Sequence, residues 1–137
     1  MSEDQLQASL WSYFWNNYPN ARHHMWAVPN SAIGEAVTTK DAIRINTLKA
    51  TGLLAGVWDL HLFWNGTLHI IETKVPGGQL TVTRLVKGRK VYGQKEWGEK
   101  MASHGAVRHI YHSLDEGKEM LKTILGEPCP SYQQTIL

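Results

Sequence analysis

The sequence is short of cysteine, of long apolar runs and, over one long stretch, of acidic residues. A single cysteine, Cys129, among 137 residues excludes an internal disulfide and a cysteine-built zinc site. No apolar run approaches the roughly 18 residues of a membrane helix. The opening Ser2-Glu3-Asp4-Gln5 is acidic and polar, unlike a secretion leader. No internal repeat or low-complexity tract interrupts the chain. These absences lead to the expectation of a reduced, cytoplasmic protein with no membrane partner. The apolar share of 42% is enough for a core, and the length suits one domain spanning residues 1–137.

The shortage of acids is local. From Lys74 to Arg108 eight cations face only Glu96 and Glu99, a net +6, while the rest of the chain carries −4 and the whole sums to +2. A basic strip beside acidic residues suits a protein that handles a polyanion through a cation. A solvated basic face without a partner is the plainer alternative.

Apolar spacing over residues 4–18 (Leu6, Leu10, Trp11, Phe14) predicts a helix stopped by Asn16-Asn17 and Pro19-Asn20. Met25 to Val28 reads as a short strand. Thr38 or Thr39 caps a second helix through Ala42, Ile45 and Leu48, with Gly52 past its end. Residues 57–64 and 67–75 form a hairpin about Asn65-Gly66, and a polar hairpin at about 79–92 turns near Lys87-Gly88. A helix over about 94–103, a strand from Val107 to His112 and a capped helix over about 114–125 complete the pattern, followed by a tail over 127–137. The expected fold is α/β, with a mixed, mostly antiparallel central sheet flanked by helices.

Register within the first hairpin brings chemistry together. A two-residue turn pairs Trp64 with Thr67, and counting back places Asp59 opposite Glu72, on one face with Cβ atoms roughly 4.5–5.5 Å apart. Lys74 shares that face. Two carboxylates in contact repel, so either one is protonated or a cation bridges them. An all-oxygen site suits Mg²⁺ or Mn²⁺ better than zinc. The Lys74 ammonium beside it would hold an attacking water or stabilise developing phosphorane charge.

Through Gly56-Val57-Trp58-Asp59-Leu60, Ile71-Glu72-Thr73-Lys74, Gly78-Gln79-Leu80-Thr81 and Gly93-Gln94-Lys95-Glu96-Trp97, the sequence resembles the virus-type replication-repair nuclease (VRR-NUC) domain of the PD-(D/E)XK superfamily. The likeness covers about residues 3–113, including Glu3-Asp4-Gln5-Leu6-Gln7 and Val28-Pro29-Asn30. It implies a restriction-endonuclease-like core and a Mg²⁺- or Mn²⁺-dependent DNA endonuclease cutting branched, flapped or junction DNA to leave 5′-phosphates, often as a homodimer of phage or bacterial origin. Asp59, Glu72, the Thr73 carbonyl and Glu3 would be metal ligands. Lys74 would be the catalytic lysine, and Gln94 would orient water or that lysine. Asn30 becomes a candidate DNA contact. The alternative is a nuclease-fold module that binds nucleic acid without cutting, or cuts only with a partner.

Two features depart from the family pattern. Many relatives have proline before the aspartate, where this chain has Trp58, expected on the opposite face. Residues 81–92 intervene before the glutamine helix, where relatives often run straight on. This basic insertion is expected to contact phosphate through Arg84, Lys87, Arg89 and Lys90, with Lys95 nearby; a dimer arm or a plain edge hairpin is the alternative. Among the histidines, His109 and His112 should face opposite sides of a strand, His69 should face away from the carboxylates, and His61, beside Asp59, is more simply packed than catalytic. Trp11, Trp58, Trp64 and Trp97 fall at core-facing positions, while Trp15 and Trp26 are unsettled.

Overall fold

The computed structural model describes residues 1–29 and 38–130. Helix α1 (Glu3–Asn17) opens on a capping box in which Ser2 and Gln5 satisfy each other's backbone N–H groups. A 3₁₀ turn (Pro19–Ala21) leads into strand β1 (Met25–Ala27). Helix α2 (Thr39–Ala50) starts at a Thr38 cap. Strands β2 (Leu60–Trp64) and β3 (Thr67–Thr73) flank Asn65 and Gly66, whose φ angles of 49° and 77° give the left-handed pair that a tight hairpin needs. Strands β4 (Arg84–Val86) and β5 (Arg89–Val91) form a separate ribbon. Helix α3 (Gln94–Ser103), strand β6 (Val107–Tyr111) and helix α4 (Leu114–Leu125), capped by Ser113, follow.

The main sheet has the order β1-β2-β3-β6, antiparallel except for the parallel β3–β6 pair. A parallel pair requires a long crossover, and the β4–β5 ribbon and α3 supply it. One sheet face carries the core. Leu6, Leu10 and Phe14 of α1 and Leu121 of α4 pack there on Leu60, Leu62, Ile71 and Tyr111, all buried. The four-residue spacing in α1 makes that stripe, and burying each such side chain stabilises the fold by about 1.5–3 kcal/mol. The other face holds α3. The sheet's two faces are thus given different tasks, with apolar packing on one and the acidic residues on the other.

Trp58 departs from the strand alternation expected of it. Because β2 begins only at Leu60, the indole is free to turn under α3, where Nε1 donates to the Gln94 carbonyl at 2.8 Å. Gly98 makes this possible, since a Cβ there would lie 2.5 Å from the Trp58 ring. Phe63 of β2 is half exposed.

Candidate active site

The expected register holds: Trp64 pairs with Thr67 and Leu60 with Ile71. One step beyond the ladder, Asp59 and Glu72 grip each other. The Asp59 N–H donates to Glu72 Oε1 at 3.0 Å, and the Thr73 N–H donates to Asp59 Oδ2 at 3.1 Å. Strand-like pairing continues past Thr73, because the Lys74 N–H donates to the Tyr111 carbonyl at 3.1 Å. Lys74 therefore keeps to the face of Glu72, and its Nζ lies 3.6 Å from Glu72 Oε2. Glu72 and Lys74 are 1% and 7% exposed, so both ionisable groups have been withdrawn from water together.

Burial dominates the electrostatics. It raises the Glu72 carboxyl to about 8, with the negative charge of Asp59 adding to the shift and Lys74 opposing it. Asp59 is raised as well, first by burial; the Thr73 N–H works against this, and the charge of Glu3 adds to it. Without a cation the pair retains a proton at neutral pH, as two crowded carboxyls must.

Gln94, the first residue of α3, reaches into this cluster. Its Nε2 donates to Glu72 Oε2. Its Oε1 accepts from the Thr81 N–H at 3.1 Å, while its backbone N–H donates to Thr81 Oγ1 at 3.0 Å. Gln94 thus contacts Glu72 and ties that carboxylate to the base of the basic ribbon.

The remaining candidates are placed unevenly. Glu3 stands at the start of α1, near enough to bear on Asp59 electrostatically. No group of three or more acidic, histidine or cysteine side chains that could hold a metal occurs among the described residues. Two carboxylates nonetheless fit Mg²⁺, which keeps several waters and takes substrate phosphate as further ligands, and a dication can replace the proton that Glu72 now holds. Arg84, Lys87, Arg89 and Lys95 are exposed. Lys90 is exposed as well but is paired, 3.2 Å from Glu96 and over the Tyr92 ring. Asn30 lies outside the described residues.

His61 is packed, stacked 5.6 Å from Trp97 and edge-on to Trp26, and burial lowers its pKa. Trp26 proves half exposed at the sheet edge, and Trp15 carries the Arg22 guanidinium on its ring. His112 bonds to Glu116, whereas His109 meets His69 at 2.9 Å. That histidine pair and the buried Thr73–Tyr111 hydroxyl bond of 2.6 Å escaped sequence reasoning. Both span β3 and β6, and no local pattern signals that two strands 38 residues apart are parallel neighbours.

Comparison with protein-family models, curated proteins and solved structures gave no match.

Proposed function

We propose that the chain is a divalent-cation-dependent DNA endonuclease of the VRR-NUC type, built on a restriction-endonuclease-like core. The observation that carries this reading is the half-buried Asp59 bonded to buried Glu72, with the Lys74 ammonium 3.6 Å from Glu72. A structural role alone is a poor account of three ionisable groups brought together on a sheet face, because desolvating them is costly.

Asp59, Glu72 and the Thr73 carbonyl would hold Mg²⁺ or Mn²⁺, which when bound polarises a phosphodiester and stabilises its developing charge. Lys74 presents an ammonium at the cluster, positioned to orient water and to neutralise charge on the phosphate oxygens. Gln94 and the Asp59 N–H keep Glu72 from rotating away. In the hydrolysis, the water oxygen bonds to phosphorus, the P–O3′ bond breaks, and a proton passes to O3′. The products carry a 5′-phosphate and a 3′-hydroxyl. Arg84, Lys87, Arg89 and Lys95 would bind flanking phosphates.

The test compares Asp59→Asn and Lys74→Ala with the wild type on branched, flapped and linear DNA, in Mg²⁺ and in Mn²⁺, after checking that each variant is folded. Cleavage should fall by at least about 100-fold in both. Undiminished cutting by the two variants would refute the assignment. Wild-type binding to branched DNA without cleavage in either metal would make the chain a binding module.

A further inference from the structure

The ribbon of β4 and β5 exposes what a folded protein ordinarily hides. Leu85 is 76% exposed and Val86 40%. An isolated two-stranded hairpin has no second layer to cover such residues. Its turn, Lys87-Gly88, has both φ angles positive (50° and 76°) and brings Val86 opposite Arg89 and Leu85 opposite Lys90. Pleating places Arg84, Val86, Arg89 and Val91 on one face, and Leu85 and Lys90 on the other. Lys90 bends back to Glu96, which leaves Leu85 bare near the tip. Arg84, Lys87 and Arg89 make no ion pair among the described residues.

The base of the ribbon is held firmly. The Gly93 N–H donates to Thr83 Oγ1 at 3.1 Å, the Lys95 N–H donates to the Thr81 carbonyl at 3.1 Å, and Gln94 is bonded twice to Thr81. Gly93 has residues 81 and 82 pressed against it, with the Val82 carbonyl carbon 2.3 Å from where a Cβ would be. Through Gln94 that base is one side chain away from Glu72. An apolar segment flanked by cations without ion pairs among the described residues is thus mounted on a base bonded to Gln94, the side chain that reaches Glu72.

We propose that this ribbon is a wedge for branched DNA. Arg84, Lys87 and Arg89 grip phosphates on either side of a branch, and Leu85, from the face opposite Arg84 and Arg89, inserts against the terminal base pair and unstacks it. Apolar side chains inserted at base steps act in this way, the cost of unstacking being offset by added backbone contact. Charge selects this occupant over a second copy of the chain, since a symmetric contact through the ribbon would set the three unpaired cations against themselves. The bonded path to Glu72 selects it over an anionic membrane, which has no use for a tip fixed beside a carboxylate cluster. The proposal rests on the nuclease reading for the identity of its polyanion.

The experiment uses the full chain and a DNA fork with 2-aminopurine in the first pair at the branch, bound in Ca²⁺ to hold the complex uncut. Wild type should raise the fluorescence severalfold. L85S/V86S, altered only at exposed positions, should bind linear duplex as wild type does yet leave the fluorescence flat, and in Mg²⁺ it should lose about tenfold in the ratio of fork to linear cleavage. An equal fluorescence rise in the variant, or none with wild type, overturns the wedge. So does a change from dimer to monomer in the variant by light scattering, or Leu85-dependent sedimentation with phosphatidylserine vesicles. Failure of the nuclease reading shows separately, as no cleavage of any substrate while the fluorescence assay still reports base opening.

Discussion

Glu72→Gln offers a decisive measurement, because it removes a charge and keeps the shape. The Glu72 carboxyl titrates near 8 in the fold, against an ordinary 4.5. The folded protein therefore binds the proton more tightly than the unfolded chain does. Stability from this group is complete below about pH 4.5 and is lost as pH rises through 8. A shift of that size corresponds to about 5 kcal/mol over the full window, as a ceiling. Glutamine cannot titrate, so the variant should lack this decline. The acid limb is common to both proteins: burial and His69 hold His109 at about 4, so the folded state resists its protonation and stability falls below about pH 6.5. Urea unfolding in chelator from about pH 5 to about pH 9 would give the two curves. The wild type should lose stability relative to Glu72→Gln from about pH 5 to about pH 8 and run parallel to it above that, and Mg²⁺ should restore the lost stability by binding only the folded state. Curves parallel throughout, or equal Mg²⁺ stabilisation of both proteins, would refute the buried-pair account of the site.

Gly98→Ala should destabilise the protein by about 1–3 kcal/mol despite the better helix propensity of alanine, because its Cβ meets the Trp58 ring at 2.5 Å. The same push on α3 should loosen Gln94 from Glu72; a lowered thermal midpoint together with reduced cleavage is the expected pair, and an unchanged midpoint would count against this packing. Tyr111→Phe strands the Thr73 hydroxyl, which is bonded to Tyr111 Oη at 2.6 Å in a fully buried setting. A loss of about 1–3 kcal/mol in chemical denaturation is expected, and a neutral outcome would mean that the Thr73 hydroxyl finds another partner.

Most of the local structure was legible because it is locally caused. The Thr38 and Ser113 caps, the Asn65-Gly66 turn and the four-residue apolar spacing of α1 all act over a few residues. The meeting of Asp59, Glu72 and Lys74 was legible for the same reason, since a two-residue turn fixes the register of everything counted back from it. Gln94 was identified by resemblance, but its contact with Glu72 was not. That contact depends on where α3 docks, and α3 docks where Gly98 admits the Trp58 indole. Lys90 looked like its basic neighbours along the chain and differs from them only because Glu96 faces it in space.

By itself the sequence determined the elements, the register of the central hairpin and the close approach of two carboxylates and a lysine, since each follows from backbone geometry over short spans. Tertiary structure alone decided that β6 runs parallel to β3, which brings together His69 with His109 and Thr73 with Tyr111. It also buried Glu72 under α3 and raised its carboxyl toward 8, because burial is a property of what packs on top, and no residue carries that in its own neighbourhood.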